Sequence, residues 1–134
     1  MQPIAFALRF QGEAVELDGG RFWAETRAPA GIEEALCRRQ VDVRADGSLV
    51  QAGVLSFGLD AALTFRARGA LRSSPDPHVR HGTAVLEVTG GRGRLAGARG
   101  FVTSNFLLAD SGELTDHHLG LLFLEQAPHE GGLE

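Results

Sequence analysis

A chain of 134 residues, 43% hydrophobic and 22% charged, carries enough apolar matter for one core and too little charge for a disordered segment. A net charge of −4, from 13 basic and 17 acidic residues, excludes the broad positive surface that nucleic acid or anionic lipid requires. One cysteine, Cys37, excludes an intrachain disulfide, and the lack of lysine and tyrosine leaves His, Asp, Glu, Cys, Ser, Thr, Asn and Arg for chemistry.

Ile4, Phe6, Leu8 and Phe10 alternate with Ala5, Ala7 and Arg9, which predicts a strand with one apolar face running to a turn at 17–20. Residues 21–27 (RFWAETR) predict a second strand ending before Pro29, and 30–36 (AGIEEAL) a short helical turn in a loop. In the third strand, 36–44, Cys37, Arg39, Val41 and Val43 oppose Arg38, Gln40 and Asp42, and a hairpin turn follows at 45–48. Strands at 49–57 and 61–70 come next, Leu63, Phe65 and Ala67 of the latter opposing Thr64, Arg66 and Arg68. Pro75 and Pro77 mark a loop at a barrel rim, and strands at 82–89, 100–109 and 113–125 complete the set.

About eight short strands with tight connections predict an all-β fold: a single small closed antiparallel barrel, calycin-like, over residues 1–128, with 129–134 as a disordered tail. In the last strand Leu119, Leu121 and Phe123 make one face apolar while Leu122 and Leu124 make the other apolar too. The outer of the two needs cover, which predicts a homo-oligomer, dimer or trimer. The N-terminus lacks a signal peptide's charged start, and no run reaches the roughly 20 apolar residues of a membrane span, so a cytoplasmic protein with no membrane or nucleic-acid partner is expected.

Residues 90–100 (GGRGRLAGARG) fit neither a dinucleotide loop, because a strand follows, nor an RNA-binding Arg-Gly segment, because the chain is acidic. They fit a glycine-built barrel corner in which Leu95 and Ala98 plug the core and Gly97 is too crowded for a side chain. His117 and His118 are adjacent in a strand and point to opposite faces, so they cannot share a metal, and no metal site is expected.

His117, beside Leu119, Leu121 and Phe123, is either an acid or base on an apolar face or a hydrogen-bonded rim residue. Asn105 shares a face with Thr103 and is flanked by Phe101 and Phe106; it either orients a substrate oxygen in an apolar cavity or is satisfied by the next strand. Trp23 and Glu25 offer an apolar wall beside a carboxylate. Glu25, Asn105 and His117 are thus the candidate catalytic groups, with Trp23, Thr103, Phe101 and Phe106 binding substrate. Arg38, Arg39, Arg66 and Arg68 read as partners for Glu25 or a substrate carboxylate, or as surface cations, and Cys37 as core packing.

The run GTAVLEVTGGRGRLAGARGFVTSNFLL followed by GELTDHHLGLLFL resembles the closing half of the allene oxide cyclase and dirigent-type barrels. The resemblance covers roughly the last third of the chain. It implies an eight-stranded antiparallel barrel, usually oligomeric, with an apolar cavity open at one end. It further implies a cyclase or stereochemical guide for reactive apolar substrates, without metal or organic cofactor. Because the first two thirds show no match, no pocket residue carries over. The expected function is a cofactor-independent cyclase or isomerase acting on a small apolar molecule, polyketide- or lipid-derived; the alternatives are a non-catalytic binder of such a molecule and a purely structural oligomer.

Overall fold

The computed structural model describes residues 1–125. Eight strands, β1 (Gln2–Glu16), β2 (Arg21–Ala30), β3 (Glu33–Val43), β4 (Ser48–Phe57), β5 (Ala61–Ser73), β6 (Val79–Gly93), β7 (Arg99–Ala109) and β8 (Glu113–Leu124), pair antiparallel with their chain neighbours. β1 and β8 close the ring from Gln2↔Leu124 to Glu13↔Glu113. Closure leaves no unpaired sheet edge, and the closed all-β barrel read from the sequence is the fold found. The tail assigned to 129–134 lies outside the described residues.

Strict alternation sorts each strand into an inner and an outer row. The inner rows include Phe10 of β1, Ala24 and Thr26 of β2, Cys37, Arg39 and Val41 of β3, and Leu49, Gln51 and Leu55 of β4, all buried. From the second half they include Leu63 and Phe65, Ala84 and Leu86, Val102, Ser104 and Phe106, and Leu114, Asp116, His118 and Leu122. A register shift opposite Thr64 and Phe65 leaves Thr89 of β6 without a partner in the ladder, a bulge on β6. Two glycines make room for rings: a Cβ on Gly82 would stand 2.0 Å from Phe106, and one on Gly120 2.2 Å from Phe6.

The predicted helical turn at 30–36 is corrected. β2 runs on through Pro29, Gly31 at φ 67° makes a tight turn with Ile32, and Glu33 already belongs to β3. Inward-facing Ala28 and Ala35 pair across the hairpin, so burial and ladder bonds outweigh the weak helical propensity of so short a segment. In the 90–100 corner, Leu95 and Ala98 pack on the core as expected. The crowding assigned to Gly97 is corrected: nothing lies within 4 Å of its Cβ position, and its φ of 78° is what favours glycine there.

Each barrel end is ringed by loops. The 31–32, 58–60 and 94–98 connections form one end, here the upper rim, and the 17–20, 44–47, 74–78 and 110–112 connections form the lower rim. Among the described residues no helix is long and apolar enough to cross a membrane.

Candidate functional site

The barrel centre holds a buried ionic cluster. Arg39, in the inner row of β3 between Cys37 and Val41, donates through Nη2 to Asp116 Oδ2 of β8 at 2.7 Å and through Nη1 to Gln51 Oε1 at 3.3 Å. Ser104 donates its hydroxyl to Asp116 Oδ1 at 2.7 Å, and His118 Nε2 lies 2.8 Å from Asp116 Oδ2. Phe10 lies against the His118 ring at 4.6 Å between centroids, and the Arg39 guanidinium sits 5.5 Å from the centre of the Phe106 ring.

Burial penalises the charge on Asp116, but Arg39, then His118 and Ser104, outweigh it and hold the carboxyl well below the usual carboxylate range. An ionised carboxylate only accepts, so His118 Nε2 carries the hydrogen, and in the neutral ring the lone pair sits on Nδ1. That Nδ1 has no partner; Arg39 Nε, Gln51 Nε2 and Thr26 Oγ1 are likewise buried and unpartnered. Three of these atoms belong to Arg39, Gln51 and His118, the residues bonded in the cluster. The arrangement is not a nucleophilic triad, because Ser104 bonds Asp116 and not the imidazole. Cys37, one step up the same row from Arg39, has its thiol pushed up to about 11 by burial, which makes it a poor nucleophile.

Above the cluster the upper rim opens into a cavity of about 400 Å³ lined by Ile4, Phe6, Leu8, Phe57, Leu95 and Leu122, with Glu33 and Arg94 at its edge. Phe6 and Phe57 meet edge to face at 5.6 Å. Leu8, in the cavity wall, is the cross-strand partner of His118, whose imidazole is buried behind that wall and is not part of the lining. Between Leu122 and His118 the β8 inner row has only Gly120, whose missing side chain leaves the space that the Phe6 ring fills. The lower rim holds a second cavity of about 550 Å³, with a polar edge of Glu16, Arg21, Arg80 and Asp110. The buried residues Val41, Leu49 and Leu114 stand between it and the cluster. The upper cavity is the one of the two whose wall includes a cross-strand neighbour of the cluster, Leu8 beside His118.

Most residues singled out from the sequence face the other way, and the expectation that they converge inside the barrel is corrected. Trp23, Glu25, Phe101, Thr103, Asn105 and His117 occupy outer rows; of the seven, only Phe106 faces the core. No bulge is responsible: β7 and β8 each carry polar and apolar residues in both rows, and burial selects the even-numbered one. Glu25 is paired at 3.1 Å with each of Arg27 and Arg38. Thr103, Asn105 and His117 do come together, with Arg9 and Leu119, in a shallow groove on the outer wall, where Asn105 Oδ1 is hydrogen-bonded to His81 Nε2. Among the described residues no group of three or more His, Cys, Asp or Glu side chains is placed to hold a metal ion.

No family model matches the chain, and no curated protein matches it. Solved structures do. The pterocarpan synthase dirigent protein GePTS1 superposes with a TM-score of 0.65 at 15% identity, over 93% of this chain and 89% of that one. The pterocarpan synthase dirigent protein PsPTS1 superposes with a TM-score of 0.65 at 13% identity, over 94% of this chain and 97% of that one. At such identities the likeness is one of fold: this chain has the barrel of dirigent proteins.

Proposed function

We propose that the chain is a cofactor-independent cyclase or isomerase that takes a small apolar molecule through the upper rim and uses His118 for the proton transfers. The observation that carries this reading is a buried imidazole fixed by Asp116 through Nε2, with a partnerless Nδ1, on the residue paired across the strands with Leu8 of the apolar cavity wall. Nδ1 takes a proton from carbon next to a substrate carbonyl, and the Asp116 carboxylate steadies the imidazolium that forms. Returning the proton at another carbon gives an isomer. Attack by the carbanion on a second carbonyl of the same molecule closes a ring: the C=O π bond breaks to an alkoxide, which takes the proton back from the imidazolium, with the apolar wall holding the two ends together. Arg39 Nε and Gln51 Nε2 are the free donors in the cluster for charge that builds on the substrate oxygen. The structural neighbours, named as synthases of the dirigent type, agree with a barrel that guides a small-molecule reaction.

The test is deuterium wash-in from D₂O at the acidic carbons of an apolar enone such as isophorone, followed by mass spectrometry. Exchange above the buffer rate that is lost in His118→Gln supports the reading; a wild-type protein that leaves the enone unlabelled refutes it. One observation favours the non-catalytic alternative: His118 is only 2% exposed, with the Phe10 ring packed against it. Binding of the enone without exchange would select that alternative.

The outer wall supports a homo-oligomer as the working assembly. Leu119, Leu121 and Phe123 of β8, Phe101 of β7 and Val85 of β6 are exposed, and Phe101 pairs directly with Leu121. A contiguous apolar face of this kind on a barrel wall is suited to a second copy of the chain.

A further inference from the structure

The upper cavity is edged by a clamp that ties two connections to the start of β3. Arg94, on the connection between β6 and β7, donates through Nη2 to both oxygens of Glu33, at 2.7 and 3.0 Å, and through Nε to Asp60 Oδ1 at 2.9 Å. Its backbone N–H donates to the Asp60 carbonyl at 3.0 Å, so the loop is fastened by main chain as well as by charge. Gly58 holds a positive φ of 65°, and a Cβ there would stand 2.7 Å from Glu33 Oε1, so the turn between β4 and β5 is shaped to seat that carboxylate. Among the described residues, Glu33 and Arg94 are the only charged side chains that line the cavity. One guanidinium against two carboxylates leaves the clamp with a net charge of −1, and the cluster beneath is already balanced by Arg39 against Asp116.

We infer that Glu33 and Asp60, by occupying Arg94, make the upper cavity selective for neutral apolar ligands and turn carboxylates away. This rests on the reading that the upper cavity is where the ligand binds. The apolar lining supplies affinity to both kinds of molecule. Arg94 has Nε committed to Asp60 and Nη2 to Glu33, and the surplus negative charge of the two carboxylates repels an anionic head group. A carboxylate entering the apolar lining also loses hydration that nothing there replaces.

Calorimetric titration of the full chain with 1-octanol and with octanoate, at neutral pH and low salt, tests the inference. Octanoate should bind about tenfold more weakly than octanol, the effect of one surplus charge at close range in a partly solvated site. Glu33→Gln and Asp60→Asn should each narrow that ratio severalfold, Arg94→Gln should widen it, and added salt should compress it in the wild type. Octanol affinity serves as the internal control for an intact cavity in every variant. Octanoate binding as tightly as octanol to the wild type, or a ratio unmoved in both acid variants, overturns the selectivity while leaving the ligand-binding reading in place. Failure of both probes to bind overturns the two together.

Discussion

Arg39 on β3 and Asp116 on β8 meet at 2.7 Å in the middle of the barrel, both 1% exposed or less, across 77 residues of chain. No sheet hydrogen bond joins these two strands, so the pair is a strut across the lumen. Removing one partner leaves the other charged and buried without compensation. Asp116→Asn and Arg39→Met should each cost about 3–5 kcal/mol in urea unfolding, whereas Arg39→Met with Asp116→Leu should recover part of that loss. Additive losses in the double variant would show that the two residues act independently.

The same pair sets the acid limb of stability. Although burial works against it, Arg39 holds the Asp116 carboxyl below its ordinary value, so the unfolded chain takes up this proton at a higher pH than the folded one. The contribution is complete above about pH 4, where an unperturbed aspartate is ionised, and is lost as pH falls further. Urea midpoints measured from pH 5 to pH 2 should fall in the wild type and fall less in Asp116→Asn.

Cys37 sets the alkaline limb. Its thiol is raised from 9.0 to about 11 by burial, with Asp116 adding to the shift and Arg39 opposing it. Stability from this group is complete about a unit below the unfolded value of 9.0, where both states keep the proton, and declines as pH rises through 9 towards 11 because the unfolded chain ionises first. The loss should reach about 2–3 kcal/mol by pH 11 and be absent in Cys37→Ala, as read from denaturant curves at fixed ionic strength.

The strands and their closure were legible because β1, β3 and β5 are strongly one-sided: Ile4, Phe6, Leu8 and Phe10 leave no doubt about which row is inner. The site was not, because its residues lie where alternation is ambiguous. In β7, Phe101, Thr103, Asn105 and Leu107 form one row and Val102, Ser104, Phe106 and Leu108 the other, each with apolar ends and a polar middle. β8 repeats the problem with His117 in one row and Asp116 and His118 in the other. One signal pointed to the right answer. Arg39 stands in the Cys37, Val41, Val43 row, and an arginine in an apolar row demands an acid that faces the same interior. Asp116 is that acid, and it brings Ser104 and His118 with it.

Assembly is checked on the outer wall. If Leu119, Leu121 and Phe101 meet a second copy, sedimentation at micromolar concentration should show a dimer or trimer for the wild type. Leu121→Glu should dissociate it without loss of β structure, since this side chain is in the outer row of β8 and 50% exposed in the single chain. A monomeric wild type would leave that apolar face without the proposed cover.

The sharpest separation between the interior and the outer wall comes from two neighbouring strands. His118 lies in the inner row of β8 with its Nδ1 free, while Asn105 lies in the outer row of β7, bonded to His81 and beside His117 in the surface groove. If proton transfer takes place inside the barrel, His118→Gln should abolish deuterium wash-in while Asn105→Leu leaves its rate within about twofold. Asn105→Leu should cost under about 1 kcal/mol, because losing an exposed hydrogen bond to water-accessible partners leaves no buried group unsatisfied. His118→Gln should cost more, since the Phe10 contact and the bond to Asp116 go together, so its loss of exchange must be read on protein shown to be folded by circular dichroism. The opposite result, exchange lost in Asn105→Leu and kept in folded His118→Gln, would move the chemistry to the groove formed by Arg9, Thr103, Asn105 and His117.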